Sequence, residues 1–185
     1  MERAGPTSFT IWITLLAILT ALTTVATLIL VVPIPATGGI FNVGDIMVMI
    51  SGLLLGPIGG FIAGGAGSMF ADLVAAPGFA PITLVVKGLE GMAVGYFSKR
   101  TINLSSVSKW DAVGVVVGSI MMLLGYFIAE TALAGGNFGP ALIELLTGNI
   151  LQVAAGSIVT LAAGPRLRSY LASLGRKSVD LEESG

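Results

Sequence analysis

From Ile46 to Ala76 the chain runs about 31 residues without a lysine or an arginine. As one helix this stretch would be about 46 Å long, well beyond a bilayer core of about 30 Å. It is interrupted by Gly56-Pro57-Ile58-Gly59-Gly60. These residues predict a tight hairpin between a short helix, Ile46–Leu55, and a second, Pro57–Ala76. So apolar a run belongs in a membrane. The composition agrees: 10 % of residues are charged and 55 % hydrophobic, where a soluble domain carries about 25 % charged residues.

The other spans follow from the same pattern. Helix one is expected from Phe9 to Val32. That run is too long for a signal-peptide core and ends in Pro33-Ile34-Pro35, with no clear small-residue cleavage site, so it reads as a retained helix. Pro33 to Asp45 is rich in turn formers and reads as a loop. Helix four is expected over Ile82–Phe97, helix five over Trp110–Leu133 and helix six over Ala141–Ala163. The fold expected is all-α and integral to the membrane: a compact bundle of about six transmembrane helices. Residues 1–165 form a single membrane domain, and residues 166–185 a polar, mobile tail. Arg3, Lys99, Arg100, Lys109, Arg166, Arg168, Arg176 and Lys177 fall on one side of such a topology. The bias of basic residues toward the cytoplasm puts that side, and both termini, inside the cell. Trp12 and Trp110 fall at the same boundary, as an aromatic belt would.

Against this apolar background the charges stand out. Lys87 and Glu90 sit inside helix four, and each costs about 2.5–3.5 kcal/mol at a bilayer centre. Three apart, they share a helix face. They are either a self-neutralising pair that pins packing or part of a site. Asp45 reads first as an N-cap for the next helix. Asp72 lies in the last turn of helix three, where the dipole disfavours an acid, so capping does not account for it. Glu130 and Glu144 fall at the same depth, and Glu144, early in helix six, could simply answer the dipole. Asn149, Gln152 and Gly156 share one face of helix six. The set predicts a polar pocket near the outer boundary, closed below by glycine-rich packing.

Several functions are excluded or weakened. The chain has no cysteine and no histidine, which removes disulfides, thiol nucleophiles and Cys/His metal or haem ligation. A net charge of −1 offers no basic field for nucleic acid. No phosphate loop of the form Gly-x-x-x-x-Gly-Lys-Ser/Thr is present. A membrane enzyme built on carboxylates such as Glu90 and Glu130 lacks any nucleophile or metal-ligand pattern to support it. A stand-alone secondary carrier or channel for a small polar solute stays open, although no clear repeat relates the two halves.

Four stretches carry a family resemblance: Gly38 to Asp45, Leu54 to Gly60 with Gly64 to Leu73, Val86 to Gly91, and Gly148 to Gln152. With Ala17 and Ala21, four apart in helix one, they resemble the substrate-binding S component of energy-coupling factor (ECF) transporters, over about residues 10 to 165. The branch is the riboflavin-transporter-like one, which includes carriers for pyridoxine, hydroxymethylpyrimidine, pantothenate and queuosine-type precursors. The resemblance implies a six-helix bundle that binds a vitamin-like heterocycle near the outer face, under the loop after helix one. It implies no enzymatic activity and no cofactor. Energy would come from a T component, docked on Ala17 and Ala21, and a pair of ABC ATPases. The site expected lies between Phe41, Asn42 and Asp45 and helices four to six. Lys87 either hydrogen-bonds an acceptor on the ligand or holds Glu90 in place, Tyr126, Glu130 and Glu144 supply the outer wall, and Asn149 and Gln152 read polar ring or hydroxyl groups. Five acids against Lys87 lean away from a strongly anionic ligand.

Overall fold

The computed structural model describes residues 6–98, 100 and 106–183. Arg3 and Lys99 lie outside the described residues, as do the side chains of Arg176 and Lys177. Helix α1 (Pro6–Ile29) leads into a β-hairpin, β1 (Val32–Ile34) and β2 (Gly39–Phe41). The strands pair antiparallel with Val32 opposite Phe41 and Ile34 opposite Gly39. This segment reads as a loop in the sequence. Its turn works because Gly38, at φ 76°, takes the left-handed conformation that glycine adopts without steric cost. The amide of Gly38 then donates to the Ile34 carbonyl at 3.0 Å.

Helix α2 (Gly44–Phe61) is followed by a π turn, Ile62–Ala66, and by α3 (Gly67–Ala75). Within α2, Gly56 leaves helical geometry with φ 75° and ψ −170°. A Cβ placed on Gly60 would lie 2.7 Å from the Cα of Gly52, and one on Gly64 would lie 2.8 Å from Val48 Cγ1. Residues eight apart in a straight helix are about 12 Å apart. The chain therefore folds back on itself at Gly56, where the Gly-Pro sequence predicts a turn. Asp45 does not cap α2; the N-cap is Val43, without a side-chain bond, and the local amide bond at this end is Gly44 N–H to Asn42 Oδ1, 2.8 Å.

Helix α4 (Ala80–Ser98) packs on the α2–α3 reversal and on α5 (Lys109–Leu133). The approach is backbone to backbone. The Gly91 carbonyl fills the space that a Cβ on Gly52 or Gly60 would need, and Gly95 meets Gly56 and Pro57 in the same way. Small residues allow such crossings where lipid offers no hydrophobic drive. Held centrally, α4 buries both Lys87 and Glu90. Met49, Leu53, Val86, Val94, Val115, Met122, Tyr126 and Val153 form the apolar core. Outside it, Ile18, Val25, Val74, Val85, Val116, Leu124, Ile128 and Ile158 are exposed, as side chains facing lipid are.

The last helical stretch is α6 (Phe138–Glu144), a π turn at Leu145–Asn149, and α7 (Ile150–Glu183). Helix α7 continues through Pro165, and Arg168 is buried. Its guanidinium donates to both carboxylate oxygens of Asp111, at 3.0 and 3.2 Å. Asp111 also closes a capping box with Ser108 at the start of α5. Nearby, Arg100 lies 4.2 Å above the Trp110 ring, which stacks on Phe97.

Candidate functional site

At the hairpin end of the bundle, residues from α1, the β-hairpin, α3, α4, α5 and the α6–α7 stretch close on one cavity. It is lined by Thr27, Gly39, Ile40, Asn42, Ser68, Asp72, Phe79, Thr83, Lys87, Tyr126, Glu144, Asn149 and Gln152, among others. Its volume is about 20 Å³, room for about one water.

The floor is ionic. Lys87 donates to Asp45 Oδ1 and lies 3.5 Å from Glu90 Oε2. All three are buried, Asp45 and Glu90 fully. Lys87 also sits 5.6 Å from the centre of the Tyr126 ring. Its nearest partner is thus Asp45, 42 positions away, rather than Glu90 on its own helix. Asp45 and Glu90 lie beneath the cavity, and only Lys87 of the three reaches its lining.

The back wall is a hydroxyl chain. The Thr83 hydroxyl donates to Asp72 Oδ2 at 2.5 Å and lies 2.8 Å from Tyr126 Oη. Asp72 is in the last turn of α3, and this bond is its counterweight to the unfavourable dipole. The roof is the β-hairpin. The Asn42 amide donates to Gln152 Oε1 at 2.7 Å, tying the strap to α7. A Cβ on Gly39 would fall on the Glu144 carboxylate, so with this Glu144 placement the strap lies against the carboxylate at glycine.

The π turn at Leu145–Asn149 decides the remaining wall. In an α-helix, residues five apart point about 140° away from each other, at about 100° per residue. A π turn adds the extra residue to one turn and brings Glu144 and Asn149 onto the cavity side together with Gln152. Three buried polar atoms on the lining have no hydrogen-bond partner in the protein: Ser68 Oγ, Glu144 Oε2 and Asn149 Nδ2.

Of the residues expected at the site, Asn42, Lys87, Tyr126, Glu144, Asn149 and Gln152 line the cavity. Glu130 does not. It opens on a separate pocket of about 200 Å³ with Ala36, Thr37, Phe79, Leu133, Ala134 and Pro140. Phe41 also points elsewhere, into a groove with Val32, Pro33, Ile143 and Leu151, because side chains alternate along a strand and its neighbour Ile40 takes the inner position. Sequence reasoning did not place Thr27, Ser68, Phe79 and Thr83 at the site. Buried hydroxyls in apolar helices carry no periodic signal, whereas Asp72, an acid at the wrong helix end, did announce a partner. Ala17 and Ala21 lie on the exposed face of α1, away from the cavity.

Fold and cavity together define a membrane-embedded helical bundle with a buried polar cavity at one end. The family model for the S component of the ECF-type riboflavin transporter matches residues 9–169, and the chain belongs to that family. An uncharacterized protein in gap 3'region from Pyrococcus woesei is 40 % identical over 149 residues, covering 78 % of this chain and 98 % of that protein. The crystal structure of the S-component for biotin from an ECF-type ABC transporter superposes with a TM-score of 0.71 at 20 % identity, covering 90 % of this chain and 95 % of the other. The latter similarity is one of fold. Together with the apolar helices, family membership makes this a multi-pass membrane protein.

Proposed function

We propose that the chain captures a small vitamin or vitamin precursor from outside the cell, as the S component of an ECF-type ABC transporter. The observation that carries this reading is the buried polar cavity, where Ser68, Glu144 and Asn149 hold polar atoms without a partner in the protein. Buried polar groups are ordinarily satisfied, and a heterocycle with ring nitrogens and hydroxyls would satisfy these. The cavity is too small for such a ligand as it stands, so the hairpin strap over Glu144 lifts to admit it. In this reading the reversal at Gly56 gives six membrane crossings, with both termini cytoplasmic and the cavity facing outward. Ala17 and Ala21 meet the T component, and paired ABC ATPases supply the energy.

Mass spectrometry of small molecules released from the purified protein tests this. A heterocyclic micronutrient should appear, and Asn149→Leu should reduce its affinity about 5- to 150-fold, the cost of leaving a partner unpaired at about 1–3 kcal/mol. Ion-driven uptake without any ATPase would favour a stand-alone carrier instead.

A further inference from the structure

Carboxylates outnumber cations around the cavity. Asp45, Asp72, Glu90, Glu130 and Glu144 are buried at this end, and among the described residues Lys87 is the one buried cation there. Lys87 is committed to Asp45 and Glu90, and Asp72 accepts from Thr83. Glu130 and Glu144 remain. They lie within electrostatic reach of each other and are 2 % and 3 % exposed. Neither oxygen of Glu130 nor Oε2 of Glu144 makes a hydrogen bond of good geometry within the protein, and the nearby side-chain donor is Asn149. When both are ionised, two buried carboxylates side by side repel, and burial of either charge without a counter-charge is costly.

Their placement is directional. Glu130 opens on the second pocket, Glu144 on the cavity, and Phe79 lines both. The pair therefore lies at the partition between the two. An independent feature shows that the cavity is built for a polar guest: Ser68, on α3, is 2 % exposed, lines the cavity and has an unpartnered hydroxyl. Around it, Ile40, Phe79 and Tyr126 provide apolar and aromatic walls.

Building on the site assigned under the proposed function, we infer that its ligand is a small organic cation, a ring bearing an ammonium or amidinium group, with Glu130 and Glu144 as the charge-recognising pair. A cation between the two carboxylates removes their repulsion and supplies the missing donors, in bonds strengthened by charge. The ring lies against Phe79 and Tyr126, whose faces also attract cations. An anionic analogue meets the same carboxylates with no uncommitted cation to receive it.

The test uses benzamidinium, benzamide and benzoate, which share a ring and nearly a size but are positive, neutral and negative. The full-length chain, purified in detergent and stripped of bound small molecules, is titrated with each while its melting temperature is followed. Benzamidinium is expected to raise the melting temperature and to bind about tenfold or more tightly than benzamide, that is, by about one decade. Benzoate is expected not to bind. Glu144→Gln should erase the preference, and Glu130→Gln serves if Glu144→Gln does not fold. Binding of benzamide or benzoate as tight as that of benzamidinium overturns the inference, as does no binding by any of the three. Failure of the wider reading looks different. Release of a neutral or anionic micronutrient whose binding depends on Asn149 would keep the binding-subunit reading and overturn the cation. Release of no Asn149-dependent molecule would overturn both.

Discussion

Lys87 shows how one residue joins fold and site. Its ammonium is shared between Asp45 on α2 and Glu90 on α4, so it neutralises the floor of the cavity while reaching the lining. Removing one partner of a buried ion pair costs about 3–5 kcal/mol, because the other charges stay buried alone. Lys87→Met is therefore expected to lower the melting temperature strongly, and Lys87→Met with Asp45→Asn to recover part of the loss; thermal unfolding of both variants checks this. A stable Lys87→Met protein that has merely lost affinity would show that the ammonium serves the ligand instead. Gly39 makes the opposite prediction. A methyl there meets only the flexible end of Glu144, which can swing aside. Gly39→Ala should leave the melting temperature within about 1 kcal/mol of wild type in stability, while ligand affinity changes because the Glu144 carboxylate has moved. Calorimetric titration beside a thermal melt separates the two effects.

At the scale of elements, the reversal at Gly56 and the glycines facing it act together. Gly52, Gly60 and Gly91 touch through backbone atoms, and a backbone cannot swing aside as a side-chain tip can. Gly91→Ala is expected to destabilise by about 1–3 kcal/mol or more, the usual range for overpacking. Thermal melts decide it, and a variant as stable as wild type would mean that α4 and the hairpin separate easily. The two π turns belong to the same scale. Ile62–Ala66 and Leu145–Asn149 each shift the register of a long helix, and the second turns Glu144 toward Asn149.

For the whole molecule, α1 is the least buried of the four long apolar spans. Thr23, Thr24 and Thr27 face the bundle, with the Thr24 hydroxyl donating to the Gly67 carbonyl at 2.8 Å, while Ala17 and Ala21 look outward. If that small-residue surface receives the T component, Ala17→Trp or Ala21→Trp should abolish transport by the assembled complex. Ligand binding by the isolated chain should survive. Loss of both activities would mean that the surface packs within the bundle.

The sequence by itself determined the membrane class, most helix positions and the turn at Gly56. Each of these depends on local quantities: apolar length against bilayer thickness, and the conformations that glycine and proline permit. It also marked Asp72 and Lys87 as residues in need of partners, because an acid at a helix C-terminus and a charge in an apolar helix are locally unfavourable. Which partners they find was left to the tertiary structure. Asp45 meets Lys87 across 42 positions, and Asn42 meets Gln152 across 110; no spacing rule reaches so far. Strand alternation sends Phe41 away from the cavity and Ile40 toward it, and that depends on a hairpin which turn-rich composition does not specify. The facing of Glu144 depends on a π turn, a change of register that costs little locally and is favoured by packing, so only the folded bundle decides it.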